Sequence, residues 1–181
     1  MNDLPRERLI VAVHAQAMIE RALALTIEYV KQRQAFGKKI IEFQNTQFGL
    51  AECKSEATIA RVFHDHCIER YLNGTLDTVT ASMAKYWLTD LQGKIIDRCL
   101  QFFGGYGYME EFPISRMYRD ARVMRIYAGT NEIMKLLIAR SLCARMMDDG
   151  YGALHEVTAL NLATQALAAV KSATSSTRQV R

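Results

Sequence analysis

The sequence predicts an all-α fold, an up-and-down bundle of four helices. Half of the 181 residues are hydrophobic, and only two are proline and ten glycine, a composition typical of an ordered, helix-rich domain. Apolar residues recur at helical spacing over long segments, and no stretch alternates in the way a β-strand of usable length would. The connections between these segments are short, which favours an up-and-down bundle.

Local signals indicate where each helix begins and ends. Pro5 suits the first position of a helix, and Asp77 suits an N-cap. Asn73 and Gly74 indicate a turn, and Gly37 is expected to end the first helix in a polar turn. The predicted helices cover about 5–31, 43–71, 78–103 and 131–147, with the last one capped by Thr130 or Asn131. Residues 106–130 read as a structured connector with one short helix.

The chain is long enough for one domain with a single core. We expect the bundle to occupy residues 1–147 and a linker to begin at residue 148, where the sequence reads Asp-Asp-Gly-Tyr-Gly. Residues 154–170 could form one more helix. The polar stretch that follows has the composition of a disordered tail.

The net charge is only +4 and is scattered along the chain, which does not favour nucleic-acid binding. The four cysteines lack CxxC spacing, so reduced core thiols are expected. His64 and His66 are two positions apart on a helix and point to different faces, so no metal site is predicted. The sequence lacks a signal peptide pattern and any uninterrupted apolar run of membrane-spanning length. A soluble, intracellular protein that is not secreted is expected.

Three short motifs could carry chemistry. In Arg33-Gln-Ala-Phe-Gly37, a guanidinium suited to a pyrophosphate stands near Phe36, which could stack on a flat ring. A helix-end arginine that complements the dipole is the simpler alternative. In Gln101-Phe-Phe-Gly-Gly-Tyr-Gly-Tyr108 the glycines end a helix, so they are not a dinucleotide fingerprint. They suit either a helix C-cap or a close approach of main chain to a ligand near Gly105.

The third motif, Tyr127-Ala-Gly-Thr-Asn131, precedes a helix, and its backbone amides could bind a polarised oxygen. A bare helix cap would explain the same sequence. Glu7 lies at the start of the first helix between two arginines, where a solvated carboxylate favoured by the helix dipole is the default interpretation.

Together these motifs resemble the C-terminal helical domain of the acyl-CoA dehydrogenases, over residues 4 to 142. The resemblance implies FAD as cofactor and an acyl-CoA as substrate. It assigns flavin contacts to Arg33, Phe36, Gln44, Gln101, Gly105 and Thr130, and substrate contacts to Arg8, Tyr127, Ala128 and Gly129. Many members carry the catalytic glutamate where this chain has Ala128. The long-chain and isovaleryl-CoA dehydrogenases instead resemble this chain, with a glutamate at the position of Glu7, which is therefore the candidate catalytic base.

The resemblance also implies a homo-oligomer, dimer or tetramer, with electron transfer flavoprotein as acceptor. The location would be the bacterial cytoplasm or the mitochondrial matrix. The family's N-terminal helical and middle β domains are not in this sequence, so we expect the chain alone to be largely inactive. Two alternatives are a non-catalytic helical assembly module and an acyl-CoA oxidase-like flavoenzyme.

Overall fold

The computed structural model describes residues 4–148. The helix predicted at 154–170 and the disordered tail lie outside the described residues. The chain divides into two compact units, Met1–Ile138 and Ala139–Arg181. A domain boundary after residue 147 stays a prediction.

Five α-helices occur among the described residues, joined by short connections. They are α1 (Leu4–Gln32), α2 (Gln44–Leu72), α3 (Thr78–Phe103), α4 (Pro113–Val123) and α5 (Asn131–Asp148). Two single turns of 3-10 helix, Ile40–Glu42 and Gly104–Tyr108, follow the first and third helices. The helical fold class predicted from the sequence is confirmed.

Helices α1 and α3 lie side by side in the same direction. Three hydrogen bonds along their length join residues that are 74 positions apart in each case: Arg8 with Ser82, Met18 with Gln92, and Tyr29 with Phe103. This constant offset means that the beginnings of the two helices lie together, and so do their ends.

Helix α2, which lies between α1 and α3 in the sequence, runs in the opposite direction to α3. In its contacts with α3, the residue numbers on α2 fall as those on α3 rise. The pairs are Arg70 with Thr80, Glu56 with Lys94, and Glu52 with Arg98. The Asp77 side chain accepts from the backbone N–H groups of Val79 and Thr80, both at 2.9 Å, so it is the N-cap of α3, as predicted.

One element departs from the sequence prediction. The chain after α1 forms a two-residue antiparallel hairpin, β1 (Gln34–Ala35) with β2 (Lys38–Lys39), instead of a polar turn that ends the helix at Gly37. Phe36 and Gly37 form its turn with φ of +52° and +79°, the positive values that a tight hairpin turn requires. Two-residue strands are too short to show alternation, which is why the sequence did not reveal them.

The segment between α3 and α5 also differs in detail from the sequence prediction. The short helix α4, expected only as part of a connector, runs antiparallel to α3. Phe112 before α4 packs edge-on against Phe103 at 6.0 Å, and Arg125 beyond its end faces Asp90 at 3.5 Å. Helix α5 reaches α3 through Asn131 in its first turn.

The core is formed mainly by small and branched side chains of α1, α2 and α3. Helix α1 includes an 18-residue window with a mean hydropathy of 1.4, long and apolar enough to cross a membrane by length and composition alone. Polar residues such as Glu20 and Arg21 interrupt this helix, so the sequence criterion of an uninterrupted apolar run did not single it out. Ala12, Ala15, Ile19 and Ala22 of this helix are fully buried within the bundle, so burial in the core accounts for its apolar composition.

Three of the four cysteines are the buried thiols that the sequence predicted: Cys53, Cys67 and Cys99. Burial raises the pKa of Cys99 to about 11. Cys143 is exposed, so the prediction of a core thiol was wrong there. Its helix, α5, presents no continuous buried face that would have covered it.

Candidate functional site

A cavity of about 740 Å³ lies where α1 and α3 end. Because these helices are parallel and in register, their C-terminal ends meet at one place. Arg33, Gln101 and Gly105 line this cavity together with Tyr29, Ile40, Asn45, Thr46, Phe102, Phe103, Gly104, Tyr106 and Met109. We call it the helix-end pocket. Three residues that two separate motifs predicted to contact a flavin thus line the same pocket.

Aromatic packing fixes the shape of the helix-end pocket. The Tyr29 ring stacks on Phe103 with centroids 4.1 Å apart, and the Tyr29 hydroxyl donates to the Phe103 carbonyl at 3.3 Å. Burial raises the pKa of Tyr29, and the nearby Arg33 opposes this shift. The Arg33 guanidinium lies over the Tyr106 ring, 5.1 Å from its centroid, a cation–π contact.

The polar groups at this pocket suit an anionic ligand. Arg33 is exposed and keeps donors directed at solvent, and Gln101 adds an amide. A Cβ placed on Gly105 would meet no atom within 4 Å, so the main chain here borders open space. Such a set of donors beside accessible backbone suits a phosphate-bearing group.

Two predicted residues lie outside the lining of this pocket. Phe36 is at the tip of the hairpin, 95% exposed, and touches only the edge of Phe43 among aromatic rings of the described chain. Gln44 is the exposed first residue of α2, while its neighbours Asn45 and Thr46 line the pocket. Asn45 and Thr46 were not predicted from the sequence. Their position in the first turn of a predicted helix is the feature that could have indicated them.

A second group of predicted residues forms the turn before α5, here called the 127–131 turn. Ala128 and Gly129 both have positive φ, +54° and +88°. Thr130 is the cap of α5, since its hydroxyl accepts from the Ile133 N–H at 3.3 Å. Burial raises the pKa of the partly exposed Tyr127. Among the described residues, neither the Ala128 nor the Gly129 N–H donates to another backbone group.

Lys85 supports this turn, and the sequence reading did not single it out. It is the largest fully buried side chain of the described chain. Its Nζ donates to the Gly129 carbonyl at 2.7 Å and to Asn131 Oδ1 at 2.8 Å. Burial lowers the pKa of Lys85 to about 8, against the opposite effect of Asp90 and Glu132. A lone lysine among the apolar positions of the third predicted helix was the signal for it.

Glu7 and Arg8 lie near the same end of α3. Glu7 is exposed in the first turn of α1. Arg8 is buried, and one of its terminal nitrogens donates to Ser82 Oγ at 2.9 Å. Burial lowers the pKa of Arg8, while Glu7 raises it. Since Ser82 is three residues before Lys85 on α3, the start of α1 and the 127–131 turn approach the same segment of that helix.

The chain therefore carries two candidate sites at opposite ends of α3. Lys85, below the 127–131 turn, and Gln101, at the helix-end pocket, are both on this helix, and their spacing corresponds to about 24 Å along its axis. Within residues 4–148 no group of three histidine, cysteine or acidic side chains is placed to hold a metal ion.

These features define an all-α domain with a polar and aromatic pocket at one end and a lysine-supported turn at the other. Residues 1–143 match the family model described as the acyl-CoA dehydrogenase C-terminal domain. The chain belongs to the acyl-CoA dehydrogenase family and corresponds to its C-terminal domain.

Known relatives agree in sequence and in structure. The mitochondrial long-chain specific acyl-CoA dehydrogenase of Mus musculus is 48% identical over 142 residues, 78% of this chain and 33% of the mouse protein. An acyl-CoA dehydrogenase structure from Geobacillus kaustophilus is 49% identical with a TM-score of 0.76, covering 78% of this chain and 37% of that one. A structure of the electron transferring flavoprotein of Acidaminococcus fermentans is 34% identical with a TM-score of 0.74, covering 77% and 37%. The chain spans about a third of the length of the relatives it matches.

Proposed function

We propose that this chain supplies the C-terminal domain of an FAD-dependent acyl-CoA dehydrogenase that oxidises the α,β-bond of an acyl-CoA thioester. The observation that carries the proposal is the convergence of Arg33, Gln101 and Gly105 on one pocket. Their motifs are separated by more than sixty residues of sequence, and the parallel packing of α1 and α3 brings them to one pocket. The family membership of the chain supports the reaction class.

The residues of the helix-end pocket fit the phosphate and adenosine portion of a flavin nucleotide. Arg33 offers charged donors, Gln101 an amide, and Gly105 an unobstructed stretch of main chain. Phe36 and Gln44, at the rim beside this pocket, are proposed to contact the same cofactor. Thr130 is proposed as a contact to a flavin at the other end of the chain.

The separation of the two sites supports an oligomer. The helix-end pocket and the 127–131 turn are about 24 Å apart along α3. We propose that they serve two different flavin molecules, with Arg33 and Gln101 binding the cofactor of a neighbouring copy in a dimer or tetramer.

The chemistry of the second site concerns the thioester. The chemistry that a flavin would supply, when bound, is acceptance of the β-hydrogen as hydride. The chain's own groups would hold the thioester oxygen and remove the α-proton. The Ala128 amide is the proposed donor to the oxygen, where it would stabilise the developing enolate, with Tyr127 and Gly129 lining the acyl chain. A backbone donor needs no side chain, so an alanine at this position is compatible with the role.

Glu7 is the proposed base, because Ala128 cannot take a proton. Its carboxylate projects from the first turn of α1, and the buried Arg8 anchors that turn to α3 through Ser82. Arg8 is proposed to orient Glu7 and the substrate beside it. A base supplied from α1 leaves only a methyl group at Ala128, which changes the shape of the acyl pocket.

The electron acceptor is proposed to be an electron transfer flavoprotein, in keeping with the Acidaminococcus fermentans relative. A location in a bacterial cytoplasm or in the mitochondrial matrix, as for the mouse protein, is part of the same proposal.

A chimera tests the function. The first two domains of the Geobacillus kaustophilus relative would be joined to the full 181-residue chain, with the parent enzyme as positive control. We expect a yellow protein whose flavin absorbance is bleached by an acyl-CoA, and little turnover by the 181-residue chain alone. A folded chimera without flavin would favour the assembly module instead. Rapid reoxidation of the reduced flavin by oxygen would favour the oxidase-like alternative.

A further inference from the structure

The buried network around Lys85 has no part in the function as proposed above. Lysine is almost never fully buried unless it is paired, yet Lys85 has no exposed surface. The described chain gives it no direct ion pair; its closest partners are a carbonyl and a side-chain amide. Burying a charged group without an ion pair costs free energy, so we expect Lys85 to have a specific role.

What Lys85 holds is the backbone just after Ala128. Its Nζ donates to the carbonyl of Gly129 at 2.7 Å and to Oδ1 of Asn131 at 2.8 Å. The Asn131 Nδ2 in turn donates to Thr89 Oγ1 and to Asp90 Oδ1, both at 2.9 Å. The turn is therefore fastened to α3 at Gly129 and at Asn131.

The turn needs such a fastening. Ala128 has φ +54°, a left-handed conformation that is unfavourable for a residue with a Cβ. Conformations of this kind persist only when the surrounding structure over-determines them. Within the turn itself the Asn131 N–H donates to the Arg125 carbonyl at 3.0 Å, which closes the loop but leaves Ala128 and Gly129 unrestrained.

We propose that Lys85 is a positioning residue: from the core it holds the Gly129 carbonyl and thereby fixes the direction in which the Ala128 amide points. The geometry of the turn stands without any ligand. Its consequence for the thioester oxygen rests on the function proposed above, in which that amide is the donor.

Three charged groups face Lys85 from the elements packed around it. They are Asp90 on α3, Glu132 on α5 and Arg8 on α1, of which the first two favour the charged lysine and the third opposes it. With a pKa of about 8, the ammonium loses a proton in mildly alkaline solution. The neutral amine keeps two N–H donors, enough for both partners, so the turn should persist while its local field changes.

The experiment compares the wild-type 181-residue chain with Lys85→Met and with a matched control, Lys94→Met. Lys94 is on the same helix but is exposed and pairs with Glu56 at 2.5 Å. In the wild type we expect ¹⁵N order parameters of about 0.85 for Ala128 and Gly129, as for rigid backbone, and values below about 0.6 in Lys85→Met. Lys94→Met should leave them unchanged.

A second measurement needs no variant and decides the matter if Lys85→Met does not fold. In the wild type, the amide shifts of Ala128 and Gly129 should follow the titration of Lys85 Nζ with the same midpoint. Order parameters that stay at the wild-type value in Lys85→Met, or turn amides that ignore the titration, would overturn the proposal.

The chimera adds a functional measurement. In the chimera, Lys85→Met should slow reduction of the flavin by acyl-CoA about 10²-fold, the usual effect of losing one oxyanion donor. The Kd for the acyl-CoA should change by less than about threefold, because this donor acts mainly in the transition state. An equal loss in rate and affinity would contradict a positioning role. A wild-type chimera that binds no flavin would refute the proposed function, whereas the order parameters would still decide the role of Lys85.

Discussion

Ala128 combines a left-handed backbone with a side chain that has no functional group. In a family whose members often place a carboxylate here, this position offers only a methyl and an amide. The methyl packs partly against the core, so what remains accessible for chemistry is the main chain. The residue therefore fits the proposed role in binding an oxygen, with the proton transfer proposed for a different side chain.

Glu7→Gln tests where that proton goes. In the flavin-loaded chimera the substitution should lower turnover about 10²–10⁴-fold, the typical effect of removing a general base. Flavin content and acyl-CoA binding should be unchanged, because the amide has the same size. Stopped-flow absorbance of the flavin under excess acyl-CoA measures the rate.

Glu28→Gln is the matched control, since Glu28 is another glutamate on α1 and should leave the rate unaltered. Ala128→Glu added to Glu7→Gln should restore part of the activity by returning a carboxylate to the alternative position. Near wild-type turnover in Glu7→Gln would reduce Glu7 to a solvated helix-start carboxylate.

Two glycines of the same motif separate stability from binding. A Cβ on Gly107 would lie 2.6 Å from the Leu100 carbonyl oxygen, so Gly107→Ala should lower the free energy of unfolding by about 1–3 kcal/mol, as overpacking does. A Cβ on Gly105 would meet nothing within 4 Å. Gly105→Ala should therefore change stability by less than about 0.5 kcal/mol.

Urea unfolding followed by circular dichroism measures both variants. The flavin content of the corresponding chimeras measures cofactor binding. Gly105→Ala is expected to lower the flavin content more than Gly107→Ala does, because its methyl enters the pocket. A stable, flavin-replete Gly105→Ala chimera would argue against main-chain contact at that position.

The sequence allowed some site residues to be predicted because they belong to contiguous motifs. Arg33, Gln101 and Gly105 were expected from such motifs, and the fold brings them to one pocket. Lys85 was missed because its significance depends on burial and on the carbonyl of Gly129, 44 positions away. The positive φ of Phe36 was also not predicted, since such a value is uncommon at a phenylalanine and pattern alone does not indicate it.

At the scale of elements, α3 organises both sites. Its first half holds Arg8 through Ser82 and the 127–131 turn through Lys85, and its end forms one wall of the helix-end pocket. The other helices meet the sites only at their termini. Anything that rotates α3 would therefore change both sites together.

Burial of Lys85 within α3 has a consequence for stability. Its pKa is about 8 in the folded chain against 10.5 for a free lysine side chain, so between these values the unfolded state binds more protons. Stability should therefore rise with pH from about 8 to about 10.5. Below pH 8 the cost of burying the charge is fully present.

Urea titrations of wild type and Lys85→Met across this pH range check the effect. The difference between the two chains isolates Lys85, because cysteine and tyrosine titrations are common to both. The wild type should gain stability relative to the variant as the pH rises. A constant difference would mean that Lys85 has an ordinary pKa in the fold.

Element boundaries followed the sequence closely where local chemistry sets them. Asp77 begins α3 through its own carboxylate, and Pro5 lies in the first turn of α1. The hairpin after α1 was not predicted, because two residue pairs leave no periodic pattern. The packing of α4 on α3 was likewise unpredicted, since it depends on tertiary contacts of Phe112 and Arg125.

At the scale of the whole molecule, exposed apolar side chains point to assembly. Phe48, Ile59 and Val62 share one outward stripe of α2 at helical spacing and are each more than half exposed. Isolated apolar side chains on a surface are ordinary, but a stripe of this kind is typical of an interface. Together with the proposed cross-subunit role of Arg33, it favours a dimer or tetramer.

Val62→Asp tests this expectation. It should shift the sedimentation coefficient toward that of the 20.6 kDa monomer, because a charge in an apolar interface is costly. Asn73→Asp, which adds the same charge at an exposed polar position in the turn after α2, is the control and should sediment like wild type. A well-behaved wild-type monomer at high concentration would contradict the prediction.

The distribution of the cysteines makes the chain convenient to label. The thiolate is the reactive form of cysteine, and burial raises the pKa of Cys53, Cys67 and Cys99 while also blocking access to them. Cys143 alone among the four is exposed. A maleimide dye should therefore attach at one position in the native protein and at four after denaturation, as mass spectrometry would show. The wild-type chain thus offers a single attachment point for fluorescence measurements without engineering.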